Sequence, residues 1–184
     1  MRAGGSRAWS AHWRPAPENP ILTHHSETTT GTAISWRCLP FQALSAGTLY
    51  RLLRLRSEVF VVEQRCVFLD LDDLDARCMH VLGERIGSDG RVCLLASARL
   101  VPPGHGFSEA SIGRVVTAPS ARAGGLGHAL MRESVRLLLA LWGAQPIRIG
   151  AQAHLEAFYN RHGFTSDNQP YVEDGIPHIE MIRP

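Results

Sequence analysis

Two periodicities in the distribution of apolar residues define the elements of this chain. Apolar side chains recur every three or four residues over residues 48–62 and 125–142, as they do on one face of an amphipathic helix. Shorter apolar runs bounded by Gly, Pro or Asp indicate strands. The predicted strands are residues 34–39, 78–84, 91–101, 112–117, 147–151, 171–173 and 176–182.

Local signals set several of the boundaries between these elements. Ser45 or Thr48 can cap the first helix, and Gly143 suits the end of the long one. A third helix is predicted over residues 154–162, and Asp174-Gly175 is typical of a two-residue hairpin turn. The order is strand, helix, three strands, helix, strand, helix, strand, strand. It predicts an α/β domain with a mixed sheet, in which the long helix joins two parallel strands.

The first 32 residues differ in composition from the rest of the chain. They are rich in Arg, Ser, Thr, Pro and Gly and show no apolar periodicity. We therefore expect a flexible tail over residues 1–32, ahead of one domain over residues 33–184. The adjacent His24 and His25 have no metal-ligating partner nearby in the sequence, so we expect them to be solvated.

Composition and charge exclude several classes of function. The formal net charge of +2 gives no indication of nucleic-acid binding, and no apolar run has the length of a membrane span. The N-terminus lacks the apolar core of a secretory signal. The four cysteines lack metal-ligand spacing, so we expect no metal and assign them to the core of a reduced, cytoplasmic protein: Cys38, Cys66, Cys78 and Cys93.

A glycine-rich segment at the start of the long helix carries the clearest chemical signal. Residues 122–127 read R-x-x-G-x-G. Their bare N–H groups and the positive end of the helix dipole suit a pyrophosphate, to which Arg122 can add a bidentate contact. The chain has no Lys, which excludes a P-loop, and Leu130 replaces the third glycine of a dinucleotide fingerprint. The alternative is a surface turn that only caps the helix.

An acidic segment over residues 63–75 allows two interpretations. Its aspartates are Asp70, Asp72, Asp73 and Asp75. A calcium loop is excluded because Asp75 stands where glycine is needed and no Glu follows near Val81. We favour a solvated acidic loop, and the alternative is a negative rim that attracts a cationic amine.

Seven short motifs follow one another in residues 58–64, 112–116, 122–127, 152–155, 158–159, 163–164 and 171–178. In these motifs the chain from Ile34 onward resembles the GNAT-fold N-acetyltransferases, and within them the ElaA-type subgroup. The resemblance implies the GNAT fold, with a mixed, mostly antiparallel sheet and flanking helices. It also implies acyl transfer from acetyl-CoA, or another short acyl-CoA, to a primary amine. No Cys–His nucleophile motif is present, so we expect direct attack in a ternary complex.

The same resemblance assigns residues to the cofactor. Val115, Val116 and Thr117 match the strand that pairs with the pantetheine arm, and the N–H of Val116 matches the oxyanion donor. The glycine segment and the amide that follows it are assigned to bind the pyrophosphate: Arg122, Ala123, Gly124, Gly125, Leu126, Gly127 and His128. Gln152 stands where many members carry a cofactor-binding Asn.

Tyr159 matches the general acid of the family. A phenol with a pKa of roughly 10 can donate to, or hydrogen-bond, a departing thiolate in a dry site. The alternative is a tyrosine that merely packs beside Phe158 and Phe164.

The acceptor side is less specified by the sequence. Glu63, His80, Glu173 and His178 are candidate bases, and His178 is selected because histidines titrate near neutrality. We assign the remaining three to acceptor binding, with Arg114 and Gln64 shaping the pocket. A purely structural role is the alternative for each.

Two other functions fit the same motifs. One is an acyl-homoserine-lactone-synthase-like enzyme, because those proteins share the fold and a similar R-x-x-V-F helix end. The other is a non-catalytic, acyl-CoA-binding regulatory module. The acceptor, whether a small-molecule or a peptide amine, stays open, as does a homodimer formed through sheet edges.

Overall fold

The computed structural model describes residues 22–25 and 33–184. In this part of the chain the strands are β1 (Leu22–His25), β2 (Ser35–Pro40), β3 (Met79–Ile86), β4 (Val92–Val101), β5 (Ala110–Thr117), β6 (Ile147–Gln152), β7 (Thr165–Glu173) and β8 (Ile176–Arg183). The α-helices are α1 (Ala46–Arg56), α2 (Leu126–Trp142) and α3 (Glu156–Asn160). The predicted fold class, a mixed and mostly antiparallel sheet with flanking helices, is confirmed.

The strands form one sheet in the order β1-β2-β3-β4-β5-β6-β8-β7. Among the described strands, only β5 and β6 pair in parallel, and α2 is the crossover between them, as predicted. β7 is an edge strand, which explains how it tolerates Pro170, a residue without an N–H to donate.

The hydrophobic core lies where α1 and α2 pack on the central strands β4 and β5. Leu130, Leu137 and Leu138 of α2 are almost completely buried. Burying an aliphatic side chain of this size contributes roughly 1.5–3 kcal/mol. Gly83 in β3 lets the Trp36 ring cross the strand, because a Cβ there would lie 2.6 Å from the ring.

The first helix changes its winding partway along. Ser45 caps α1, since its hydroxyl accepts from the N–H of Thr48 at 3.2 Å. The sequence predicts one helix over residues 48–62, but the backbone beyond Arg56 is a π-helix over Ser57–Glu63. Such wider turns are rare and often occur at functional sites. The π-helix ends beside the cavity described below.

β5 and β6 separate soon after they pair. The parallel ladder joins only Ala110 to Ile147 and Ser111 to Arg148. β6 continues along β8 instead, so within the described residues no strand pairs with the β6-facing edge of β5 beyond Ser111. The sheet is therefore open between the carboxyl ends of these two strands.

Two strands differ from the sequence prediction. Leu22–His25 lies inside the segment read as a flexible tail, yet it pairs antiparallel with β2, including His24 opposite Trp36. The short polar run gave no apolar alternation from which to predict it. The rest of the predicted tail, and the side chains of His24 and His25, lie outside the described residues. β7 also begins at Thr165, six residues before the predicted start.

Candidate active site

A cavity of about 530 Å³ fills the opening between β5 and β6. This volume is ordinary for a small-molecule site. Its walls come from the end of the π-helix, the acidic segment, both separated strands, α3 and the β7–β8 hairpin. The lining residues are Phe60, Gln64, Cys66, Phe68, Leu69, Asp72, Ile112, Gly113, Arg114, Val115, Gly150, Gln152, Leu155, Tyr159, Glu173, Asp174, Ile176 and His178.

The glycine segment lies beyond the end of β5 and turns the chain into α2. Ala123 and Gly125 have left-handed φ angles of 76° and 73°, and Gly125 is the N-cap of the helix. A Cβ added at Gly124 or Gly125 would meet nothing within 4 Å, so the backbone is bare. The first amides of α2 have no helical acceptor, and this arrangement fits an anionic diphosphate.

Arg122 does not point into open solvent. Its guanidinium makes a two-bond contact with the Glu63 carboxylate, at 2.7 and 3.0 Å, and also donates to the carbonyl of Thr117 at 3.4 Å. Both side chains are about two-fifths exposed. Glu63 therefore holds the group predicted to bind phosphate and is not part of the cavity wall, which corrects its assignment to acceptor binding.

The register of β5 on β4 determines which backbone amides face the cavity, and it bears on the prediction that the Val116 N–H is the oxyanion donor. The N–H of Ala118 bonds the carbonyl of Leu95, and the same register pairs Val116 with Ser97. Because hydrogen-bonding direction alternates along an antiparallel strand, the Val116 amide faces β4. The amides of Val115 and Thr117 face the opening. Val115, which lines the cavity, therefore replaces Val116 as the candidate oxyanion donor.

Tyr159 of α3 is buried at the inner wall of the cavity, with 8% of its surface exposed. Its ring packs edge-on against Phe158 and Phe164, as the packing alternative required. However, its hydroxyl makes no hydrogen bond within the part of the chain that the structure describes. Burial raises the pKa of Tyr159 to about 12. The phenol is thus a neutral hydrogen-bond donor that has no acceptor among the described residues.

His178 of β8, in the predicted hairpin, lines the same cavity. Its Nδ1 lies 2.8 Å from the carbonyl oxygen of Ile176, which can only accept, so Nδ1 carries the proton. In the neutral ring Nε2 then has a free lone pair, and it lies 3.8 Å from the Glu173 carboxylate. Tyr171 stacks on the imidazole with ring centres 5.4 Å apart.

Gln152 and Gln64 meet across the cavity mouth, where the Gln152 amide donates to Gln64 at 3.2 Å. Gln152 ends β6, and Gln64 follows the π-helix. The two predicted residues are therefore brought together, but they bond each other. His128 lies in the first turn of α2, with its Nδ1 2.9 Å from the His162 ring, so its side chain is engaged while its amide stays with the glycine segment.

Two of the four aspartates of the acidic segment are not solvated. Asp70 and Asp75 are buried, and together with the exposed Asp72 they pair with three arginines, Arg56, Arg99 and Arg114. The favoured interpretation of a solvated loop was wrong for Asp70 and Asp75, because their partners lie far away in sequence. The alternative interpretation, a negative rim that attracts a cationic amine, is weakened as well, because the three arginines neutralise the charge of the three paired aspartates. Asp73 alone of the four is exposed without an ion pair in the described structure.

His80 does not reach the cavity. It is 1% exposed on β3, and its Nε2 lies 3.1 Å from the carbonyl of Asp75. Burial lowers its pKa, because the interior disfavours the charged ring. Its prediction as an acceptor-binding residue is withdrawn, since a buried strand position offers no access to a substrate.

Sequence reasoning missed several cavity residues. Cys66, Phe68 and Ile176 line it, and the Cys66 thiol lies 3.6 Å from the carbonyl of Asp174. Cys66 and Phe68 lie in no motif and Ile176 had no assigned role, and only the hairpin folding against the acidic segment brings the three together. Cys38, Cys66 and Cys78 are buried as expected, whereas Cys93 is exposed, and all four are free thiols.

The described residues contain no group of three or more side chains suited to hold a metal ion. No helix within them is both long and apolar enough to cross a membrane.

Comparison with known proteins identifies the class. A family model for the acetyltransferase (GNAT) domain matches residues 78–183. ElaA of Escherichia coli (strain K12) is 39% identical over 152 residues, which span 82% of this chain and 96% of that protein. UPF0039 protein Rv2851c of Mycobacterium tuberculosis is 46% identical over 148 residues, spanning 77% and 87%. An acyl-CoA N-acyltransferase from Pseudomonas aeruginosa has a TM-score of 0.73 and 42% identity, over 81% of this chain and 99% of that one.

The chain belongs to the GNAT family of acetyltransferases, and the predicted family and fold are confirmed. ElaA and the UPF0039 proteins are its relatives within that family. Enzymes of this family use acyl-CoA as a co-substrate, and this chain is an acetyltransferase by the same membership.

Proposed function

We propose that this enzyme transfers an acetyl or other short acyl group from its CoA thioester to a primary amine by direct attack in a ternary complex. The observation that carries the proposal is that Tyr159, a buried residue whose hydroxyl makes no hydrogen bond to the described residues, lines the same cavity as His178 with its Nε2 lone pair. A proton acceptor and a hydrogen-bond donor are thus available in one cavity, as acyl transfer requires.

The binding part of the proposal rests on the open edge of β5. The diphosphate would lie on the first amides of α2, beside Gly124 and Gly125, where no side chain intrudes. The pantetheine arm would then follow the unpaired edge of β5 into the cavity. There the Val115 amide can donate to the thioester oxygen as it becomes negative, and removal of one such donor typically costs about 3 kcal/mol of transition-state stabilisation.

The chemical part assigns each proton. The amine nitrogen forms a bond to the thioester carbon and loses a proton to Nε2 of His178, and Glu173 stabilises the resulting imidazolium. The carbon–sulfur bond breaks and the electron pair leaves with sulfur. Tyr159, with a pKa of about 12, holds its proton too tightly to give it fully to a thiolate whose acid has a pKa of roughly 8.5. Its role is to stabilise that thiolate with a hydrogen bond until solvent or the imidazolium supplies the proton.

The test is the Tyr159→Phe variant, assayed for thiol release with acetyl-CoA and a panel of primary amines. We expect kcat to fall by about 100-fold or more, because a positioned donor contributes on that scale. The affinity for acetyl-CoA should change by less than about threefold, since the hydroxyl meets sulfur only as it leaves. Tyr50→Phe, at an exposed tyrosine on α1, is the matched control.

The outcome also separates the alternatives. Unchanged turnover in Tyr159→Phe would remove the role assigned to that hydroxyl. Saturable acetyl-CoA binding by the wild type without thiol release for any amine would favour the regulatory module. Thiol release confined to substrates of the acyl-homoserine-lactone-synthase type would favour that second enzyme.

A further inference from the structure

Six charged side chains beside the cavity form a closed ring of ion pairs. In order around the ring, with each member bonded to the next, they are Arg56, Asp70, Arg114, Asp72, Arg99 and Asp75. The six N–O distances lie between 2.7 and 3.2 Å. Each arginine contacts two aspartates and each aspartate two arginines, so the charges cancel. The ring therefore joins α1, the acidic segment, β4 and β5 without presenting a net charge to a substrate.

The ring is buried on one side and reaches the cavity on the other. The side chains of Arg56, Asp70 and Arg99 are at most 5% exposed, whereas those of Arg114 and Asp72 are 25% and 31% exposed. These last two are also the ring members that line the cavity. The four inner members thus fix the two outer ones in place.

Arg114 stands at a bulge in β5. Ser97 pairs with Val116 and Arg99 with Gly113, so Ala98 of β4 faces two residues, Arg114 and Val115. The extra residue gives Arg114 a φ of 49°, in the left-handed region. Glycine is the residue that adopts this conformation without steric cost. An arginine in this left-handed conformation requires other contacts that stabilise it.

The side chain of Arg114 supplies that restraint. Its Nε donates to the Asp70 carboxylate at 2.8 Å, and its Nη2 donates to the Asp70 carbonyl and to Asp72, both at 3.2 Å. The planar guanidinium thereby ties the bulge to the acidic segment, 44 residues earlier in the chain. The ring fixes the backbone of Arg114 through its side chain.

We propose that Arg114 is a positioning residue, held by the ring so that the bulge aims the Val115 amide at the reacting carbonyl. The inference rests on the proposed acyl transfer for its chemical consequence. Val115 directly follows the bulged residue and lines the cavity. A rotation at Arg114 changes the direction of the next N–H, and a donor that misses the developing charge loses most of its effect.

The decisive variant is Arg114→Gly. Glycine accepts the left-handed conformation, so the bulge stays allowed while its tether is lost. We expect kcat to fall about 30-fold or more with acetyl-CoA affinity changed less than about threefold, because oxyanion stabilisation is made in the transition state. Arg114→Lys keeps the positive charge but loses the planar guanidinium that bonds two aspartates at once. Its kcat should therefore lie between those of Arg114→Gly and the wild type.

A second measurement reports on the backbone itself. Hydrogen exchange of the amides of Val116 and Ala118, which face β4, should accelerate about tenfold in Arg114→Gly, while amides of β3 stay protected. The control is Arg37→Ala, which breaks another two-bond arginine–carboxylate pair, with Glu84 at 2.7 and 2.9 Å, outside the cavity lining. This variant should lower the melting temperature by an amount similar to that in Arg114→Gly and leave kcat and the exchange of Val116 and Ala118 unchanged.

A kcat within threefold of the wild type, or unchanged exchange at Val116 and Ala118 in Arg114→Gly, would overturn the positioning role and leave the ring as a stabilising feature only. If the wild type turns over no acyl-CoA, the proposed function fails. The exchange measurement then still decides whether the ring holds the bulge.

Discussion

At the scale of single residues, the partner of Arg122 changes how the cofactor site is understood. The guanidinium that suits a phosphate is occupied by Glu63, which imitates an anionic oxygen pair. Glu63 ends the π-helix, so the wider turn carries the carboxylate to this position. A diphosphate bound by these two terminal nitrogens of Arg122 would compete with the Glu63 carboxylate for them.

The first prediction concerns this competition. Glu63→Gln should tighten the binding of acetyl-CoA by about two- to fivefold, because an exposed ion pair is worth roughly 0.2–1 kcal/mol. Calorimetric titration at low salt measures the effect. Glu58→Gln breaks the exposed pair of Arg54 on the same helical run and should leave binding unchanged. The gain should shrink at high salt, where screening weakens the pair, and equal affinities at low salt would contradict the competition.

At the scale of elements, the β7–β8 hairpin is fitted onto β6. Gln152 of β6 pairs with His178, and His178 in turn pairs with Tyr171. A Cβ at Gly150 would overlap the Tyr171 hydroxyl, so glycine is what allows this ring to lie across β6. Tyr171 then stacks on the imidazole of His178. Three strands thus position one candidate base.

The second prediction follows from that packing. Gly150→Ala should displace Tyr171 and with it His178, lowering kcat by about five- to tenfold, as overpacking of a close contact costs roughly 1–3 kcal/mol. Affinity for acetyl-CoA should stay within about twofold, because β5 and α2 are untouched. Adding Tyr171→Phe removes the overlapping oxygen and should restore most of kcat. A double variant as slow as Gly150→Ala would show that Tyr171 does not transmit the effect.

At the scale of the whole molecule, the Arg–Asp ring ties the sheet, α1 and the acidic segment into one unit. Burial acts to raise the pKa of Asp72, but the hydrogen bond and charge of Arg99 lower it to about 2. The same causes, with Arg56 as the main partner, lower the pKa of Asp75. Carboxylates with a folded pKa below their unfolded value stabilise the fold above that unfolded value. Their contribution is lost as the pH falls toward the folded pKa.

The third prediction is an acid-sensitive fold. The free energy of unfolding should be level above about pH 5 and fall as the pH drops toward 2, with about 1 kcal/mol of the loss due to Asp72 after allowance for solvent screening. Urea titrations between pH 7 and pH 2.5 measure it. Asp72→Asn should be less stable at pH 7 but less sensitive to acid. Asp73→Asn, outside the ring, should keep the wild-type slope; equal slopes in all three proteins would contradict the assignment.

The sequence by itself determined the elements and the glycine segment at the start of α2. Apolar periodicity is a local property, so it located α2, the central strands and the Asp174-Gly175 turn. The glycine segment is equally local, because bare amides at a helix start follow from residue type alone. Tyr159 and His178, which both lie in the family motifs, line the same cavity.

Only the tertiary structure decided how charges and amides are used. Asp70 and Arg114 lie 44 residues apart and Glu63 and Arg122 lie 59 apart, so no local pattern could pair them. The direction of the Val116 amide depends on strand register, which shifts by one residue at the bulge. His80, which the sequence assigned to the site, does not line the cavity because β3 is buried on both faces. The spacing of hydrophobic residues can be determined from a short stretch of sequence. Ion pairs and strand register, in contrast, depend on segments that are distant in sequence and meet only in the folded chain.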